Sequence, residues 1–288
     1  MSQTVYLNGR YLPIEEAQVS VLDRGFMLGD GVYELIPVFA RKPFRLEEHL
    51  RRLQHSLDGI RLPNPMNEAA WRTVIARMIE LQPADDQSVY LQITRGAAPR
   101  DHAFPKNTPP TVLVISNAMN PPDAMQMEHG ICAVSSEDIR WGRCDLKTLN
   151  LLPNVLAKQK AIEAGCVECI LFRRDEHDGI LAEGAASSIF VVKDGVLLAP
   201  VKDHHILPGV TYDLVLELAA ANGFPFEVRD IHESEVRAAD ELWLTSSGRE
   251  VQAIVRLDGL PVGSGEPGPL YRRMINLYQR YKRTVTQV

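Results

Sequence analysis

The sequence has no run of about 18 apolar residues, the length a helix needs to cross a bilayer, so no membrane association is expected. Its start, "MSQTVYLNGRYLP", lacks the basic, apolar and small-residue regions of a secretory signal, which places the expected location in the cytoplasm. Positive charge is also short. A formal net charge of -6 leaves no basic face to release counterions from a phosphate backbone, so a nucleic-acid partner is not expected and a small molecule is the more natural one. Cysteine is scarce as well: Cys132, Cys144, Cys166 and Cys169. The last two form a C-x-x-C in "GCVECILF", but no second C-x-x-C or H-x-x-x-H accompanies it and the run is strand-like. Reduced thiols in or near the core are expected there, and no metal site. Internal repeats and low-complexity tracts are missing too.

What is present describes a globular protein: 288 residues, 45% hydrophobic and 24% charged, enough for two modest cores. Asn8-Gly9 between two β-prone runs predicts a hairpin. "GVYELIPVFARKPFRL" reads as continuing strand, and "LEEHLRRLQHSLDGI" has the three- and four-residue apolar spacing of an amphipathic helix carrying Arg51 and Arg52. A second helix is predicted at 67–81, then strands in "SVYLQITRG" and "TVLVISNA". The Pro-Pro pair of "NAMNPPDAMQ" resists helix and ladder alike, which sets a boundary near 120. Residues 1–119 then form an N-terminal α+β domain, and 120–288 a second mixed domain carrying Lys147. Its predicted strands lie in "GICAVSSE", "ECILFRR", "SSIFVVKDGVLLAP" and "ELWLTSS", and its helices near 153–164, 209–222 and 268–281.

Lys147 stands on a short polar segment of "CDLKTLNLLPNVLAKQKA", residues 144–161, just before a long apolar helical pattern. Most lysines are solvated surface charges. Here Leu146, Leu149, Leu151 and Leu152 flank the residue, and poor solvation favours a neutral, nucleophilic amine able to condense with a carbonyl.

Seven stretches, in order, resemble the fold-type IV pyridoxal-phosphate enzymes, and within them the D-amino acid aminotransferases. They are "DRGFMLGDGVYE" (23–34), "EEHLRRL" (47–53), "TRGAAPRDH" (94–102), "DLKTLNLLPNVLAKQKA" (145–161), "AEGAASSIFVV" (182–192), "ILPGVT" (206–211) and "LTSSGRE" (244–250). The resemblance implies an α+β fold with a small N-terminal α/β domain and a larger C-terminal mixed one. It implies that Lys147 holds pyridoxal 5'-phosphate as an imine and then shuttles the substrate's α-proton. Glu183 matches the carboxylate that favours a protonated ring nitrogen, Arg52 the phosphate arginine, and Leu207 the residue beneath the ring.

Pro208 and Gly209 open a predicted helix, so the amides of Val210 and Thr211 are placed to receive phosphate, and Ser246 and Ser247 would add to them. Arg100 and His102 of "RGAAPRDH", with Tyr33, match the substrate-carboxylate trap of the D-specific enzymes. The resemblance further implies a homodimer in which Arg100 and His102 reach the neighbouring subunit's site. Ala185, Ala186, Gly248 and Arg249 depart from the family pattern, with Ser187 retained. The expected reaction is transfer of an amino group from a D-amino acid such as D-alanine to 2-oxoglutarate, giving a 2-oxo acid and D-glutamate. Branched-chain L-aminotransferases and aminodeoxychorismate lyases share the lysine and glutamate, and are the alternatives.

Overall fold

Asn8 and Gly9 take positive φ angles of 49° and 90°, the conformation that lets two residues reverse a chain between strands. They join β1 (Thr4–Leu7) to β2 (Arg10–Pro13). The computed structural model describes residues 3–175 and 178–286. The chain divides into two units, one running to Pro121 and including Leu146–Asn150, the other Pro122–Asp145 with the chain from Leu151 onward. Lys147 therefore packs with the first unit and not with the C-terminal domain to which the sequence assigned it. The reason lies in the backbone: the Tyr33 N–H donates to the Lys147 carbonyl at 3.0 Å and Thr148 bridges Val32.

The first unit continues with α1 (Arg24–Leu28), β3 (Gly31–Phe39), β4 (Lys42–Pro43), α2 (Leu46–Gly59), α3 (Glu68–Leu81), β5 (Gln87–Thr94) and β6 (Thr111–Ala118). Its sheet is antiparallel throughout, in the order β2-β1-β6-β5-β3-β4. β3 stops at Phe39, earlier than expected, because Ala40 and Arg41 adopt positive φ and turn the chain into the short β4. The core gathers Val32, Ile36, Val89 and Leu91 from the sheet, Leu53 and Leu57 from α2, and Trp71 and Ile75 from α3. On α2 the i, i+3, i+4 face decides between the paired arginines: Arg52 is buried with His49, Leu53 and Ser56, while Arg51 is exposed.

The second unit comprises α4 (Ala124–His129), β7 (Ile131–Glu137), α5 (Leu152–Glu163), β8 (Glu168–Arg173), β9 (Ile180–Gly184), β10 (Ser188–Lys193), β11 (Val196–Ala199), α6 (Val210–Ala221), β12 (Phe226–Val228), α7 (Glu233–Arg237), β13 (Glu241–Ser246), β14 (Glu250–Leu257), β15 (Leu260–Pro261) and α8 (Pro269–Thr286). Its mixed sheet runs β12-β11-β10-β13-β14-β7-β8-β9, with parallel pairs at β12/β11, β14/β7 and β7/β8. β9, which carries Glu183, is not among the strands predicted from the sequence, and its pairing with β8 slips between Ile170 and Phe172. α5 packs against Cys169 and Leu171 of β8 through Ala157 and Ala161. Its larger apolar residues turn outward: Leu152 is 68% exposed, Val155 58% and Leu156 54%. All four cysteines are thiols, Cys144 and Cys169 buried, and burial pushes each of these two up to about 11.

Candidate active site

Lys147 is held by its backbone before its side chain is considered. Its N–H donates to Ser56 Oγ on α2 at 3.0 Å, and its carbonyl accepts from Tyr33 on β3. With the main chain fixed on both sides, the half-buried ammonium lies 4.2 Å from the centre of the Tyr33 ring. Tyr33 in turn packs against Tyr90 with ring centres 5.9 Å apart, and burial pushes the Tyr90 phenol up to about 12. Leu146 is buried as the sequence predicts, whereas Leu152 is exposed, so an aromatic ring beside the amine replaces part of the expected leucine lining.

Behind this lysine lies a cluster in which sequence reasoning found only one member. Arg52 grips Glu34 with two nitrogens, Nε to Oε2 at 3.0 Å and Nη2 to Oε1 at 2.7 Å. His49, one turn earlier on α2, places Nδ1 3.0 Å from Glu34 Oε1. Glu34 is fully buried; burial raises its carboxyl, but Arg52 and His49 overcome that and hold it well below the carboxylate range. Burial lowers His49, against the pull of Glu34, and the nearby charges of Arg52 and Lys147 lower it further. The result is a neutral imidazole, an ionised glutamate and an arginine fixed in one orientation. Pattern reading missed Glu34 because, next to Tyr33 on β3, it looks like one more strand residue; its partner is 18 positions away.

In the second unit, Glu183 on β9 is 7% exposed and its carboxylate is oriented from two directions. Arg140 Nη1 donates to Oε1, and the Leu207 amide donates to Oε2 at 3.2 Å. Arg140 is itself fixed: its Nε and Nη2 lie 2.9 and 2.7 Å from the Asp138 oxygens, and Nη2 also meets the His205 carbonyl at 3.0 Å. Burial works against the Arg140 charge, but Asp138 and Glu183 hold it firmly on. Neither Arg140 nor Asp138 was anticipated, since no spacing rule links Arg140 to a glutamate 43 residues on.

α6 begins at Gly209 with no side-chain cap, so the leading amides of a 12-residue helix, Val210 and Thr211 among them, are not taken by a capping side chain. A Cβ on Gly209 would come within 2.8 Å of Ser188 Oγ, which is why glycine stands at this start. Ser246 and Ser247 are half-buried in the β13–β14 turn, where Ser246 Oγ accepts from the Arg249 amide at 3.2 Å. The Arg249 guanidinium bonds the amide oxygen of Gln252 at 3.0 Å. Ser187, beside the departures Ala185 and Ala186, donates to the buried Glu168 at 2.7 Å.

Arg100 and His102 are exposed on the loop between β5 and β6, and the structure shows no contact joining them to Tyr33 or Lys147. Of the residues picked out by sequence, it joins Lys147 with Tyr33, and it pairs Glu183 with the Leu207 amide rather than with the Leu207 side chain.

The first unit thus offers a positioned amine and a fixed guanidinium, and the second a buried carboxylate whose oxygens can accept from a protonated ring nitrogen and a helix start suited to an oxyanion. These are the residue types that the groups of a phosphorylated carbonyl heterocycle call for. The sequence and the fold each match known proteins. A family model described as amino-transferase class IV matches residues 31–257. The chain is 37% identical over 270 residues to a D-alanine aminotransferase from Bacillus licheniformis, covering 94% of each. It is 36% identical to one from Staphylococcus epidermidis, covering 96% of this chain and 97% of that one. A branched-chain amino acid aminotransferase from Escherichia coli superimposes with a TM-score of 0.88 at 25% identity, over 96% of this chain and 93% of that one. A branched-chain enzyme from a T.th. strain, solved with pyridoxamine 5'-phosphate, does so at 0.87 and 26%, over 100% and 95%.

Proposed function

Because the chain belongs to the class IV aminotransferase family, we propose that it moves the amino group of a D-amino acid, D-alanine first, onto a 2-oxo acid such as 2-oxoglutarate. The observation that carries this reading is Lys147, locked to β3 and α2 through its backbone with its amine over Tyr33, in a chain whose curated relatives are D-alanine aminotransferases. Pyridoxal phosphate, the family's cofactor, supplies an electron sink for the substrate's α-carbon when bound.

The chain's own residues supply the rest. Lys147 is the residue that would hold the cofactor through its carbonyl carbon, and its amine is the base that would accept the proton from the substrate's α-carbon. Glu183, oriented by Arg140, would hold a proton on the ring nitrogen. Arg52, the amides of Val210 and Thr211, and Ser246 and Ser247 bind phosphate, while Leu207 supports the ring. Tyr33, Arg100 and His102 hold the substrate carboxylate, the last two from a second copy of the chain. In this reading the side on which the carboxylate is held would decide which enantiomer's α-hydrogen faces the lysine.

Two apolar surfaces support assembly into a homodimer. Around the Arg100 loop the first unit exposes Val21 at 72% and Phe26 at 78%, and the second unit exposes Leu152, Val155 and Leu156 on α5. No helix among the described residues is long and apolar enough to cross a membrane, and the reading keeps the enzyme in the cytoplasm.

The purified yellow protein is expected to lose its colour with D-alanine and keep it with L-alanine, monitored spectroscopically. The reverse preference would assign it to the branched-chain L-aminotransferases, whose fold it also shares. Pyruvate release from aminodeoxychorismate without an added oxo acid would assign it to the lyases.

A further inference from the structure

The stretch "DRGFMLGD", residues 23–30, belongs to the family pattern yet has no part in the chemistry above. In the structure it grips the loop that displays Arg100 and His102. Asp23, 1% exposed, accepts from Thr94 Oγ1 at 2.9 Å and Thr111 Oγ1 at 2.7 Å, tying together the strand ends from which the loop leaves. At the base, Gly96 has a φ of +87° and passes so close to the Pro109 carbonyl that a Cβ would sit 2.0 Å from it. Arg24, 3% exposed, reaches the tip: Nη1 donates to the carbonyls of Asp101 at 2.6 Å and Ala103 at 3.2 Å, the two residues flanking His102. Its Nε is anchored on Asp30 Oδ2 at 2.7 Å, and Arg95 shares that carboxylate at 2.9 Å. Arg95 then stacks under Phe104, 3.8 Å from the ring centre, so the loop is held on a second side.

We infer that Arg24 is a positioning residue for substrate binding: by clamping the carbonyls on either side of His102 it fixes the direction in which Arg100 and His102 point. The inference rests on the reading of those two residues as the carboxylate trap. A loop otherwise exposed from Pro99 to Phe104, apart from the buried Ala98 that precedes it, has no apolar packing of its own to set that direction. Two charge-assisted bonds to backbone provide it. Lysine at this position keeps the charge beside Asp30 but not the planar fork that reaches both Asp30 and the loop.

The test is steady-state kinetics on the holoenzyme with D-alanine, beside the cofactor's absorption spectrum and thermal unfolding. Arg24→Gln is expected to raise KM by roughly tenfold or more, with a smaller change in kcat and an unaltered spectrum. Arg24→Lys is expected not to rescue it. In an Arg100→Ala background Arg24→Gln should raise KM no further, because the group it aims is already gone. An unchanged KM with only a lower unfolding temperature, or full additivity with Arg100→Ala, overturns the inference. If Arg100→Ala alone leaves KM unchanged, the trap reading itself fails and takes the inference with it, a result that does not involve Arg24. Should the Arg24 variants not fold, Phe104→Leu decides the matter: Phe104 is 46% exposed, and losing its stack on Arg95 is expected to raise KM, whereas an unchanged KM refutes the clamp.

Discussion

Each unit holds a buried arginine side chain against a buried glutamate, Arg52 with Glu34 and Arg140 with Glu183, and the two pairs are built for opposite ends. In the first, Glu34 is the servant: wholly buried, it takes two nitrogens of Arg52 and the imidazole of His49, and the group it presents is a cation. In the second, Arg140 is the servant: saturated by Asp138 and the His205 carbonyl, it presents the anion of Glu183. The first pair sits wholly on regular elements, Arg52 and His49 on α2 and Glu34 on β3, whereas in the second Glu183 sits on β9 and Arg140 follows β7 in a loop. The difference teaches that a buried ion pair need not be read as a stability device. Its desolvation cost roughly cancels its attraction, so what it delivers is one charged group in one orientation, and the supporting partner shows which charge is wanted.

That distinction predicts unequal damage. The largest effect is expected from Glu34→Gln, which removes the buried carboxylate charge that Arg52 grips with two nitrogens. Breaking one side of such a pair costs about 3–5 kcal/mol, read as a lower midpoint in denaturant or heat. Replacing Glu34 and Arg52 together by apolar residues of similar volume should recover much of that stability while still weakening phosphate retention. If the double variant is no more stable than Glu34→Gln, the cluster is a fold determinant and the comparison breaks.

A smaller effect is expected from Arg140→Leu. Glu183 keeps the Leu207 amide, so the carboxylate stays nearby but loses the partner that aims it. A misaimed group costs about 100-fold in turnover, measured as the rate of the D-alanine half-reaction, with a cofactor spectrum shifted by the altered ring protonation. An unaltered rate and spectrum would make Arg140 a structural residue only.

How much of this the sequence disclosed follows from distance along the chain. The hairpin at Asn8-Gly9, the α2 and α3 helices and the strands β5 to β8 are written in local pattern, and Lys147, Glu183 and Arg52 lie in contiguous motifs. Glu34 and Arg140 become visible only when strands bring them to partners 18 and 43 residues away. The resemblance chose Arg52 over Arg51; local pattern alone does not make that choice, which in the structure rests on the burial of an α2 face. α5 misleads in another way: its apolar periodicity is real, but a pattern does not say what covers it, and the sheet takes the alanine side. The assignment of Lys147 to the second half failed because Leu146–Asn150 cluster with the first unit, Lys147, Thr148 and Leu149 pairing with β3 against the order of the chain.

The smallest predicted effect separates the two clusters by pH. His49 is fully buried and its pKa is lowered from 6.5, chiefly by burial. The folded protein then carries it neutral while the unfolded chain takes a proton as pH falls below 6.5, so stability declines on acidification from that point down to the folded value, by at most about 1.4 kcal/mol per pH unit. Glu34 and Asp138 have depressed values: their contribution is present above the ordinary 4.5 and 3.8 and is lost only as pH falls below these. His205, also lowered by burial, lies in the second unit, is largely hydrated and counts for less. Between pH 6.5 and 5, therefore, acid sensitivity belongs mainly to the first cluster. His49→Gln is expected to flatten the unfolding midpoint over that interval and leave the steeper loss below pH 4.5 in place. A variant that still loses stability as the wild type does between pH 6.5 and 5 would move that sensitivity to His205 and the second unit.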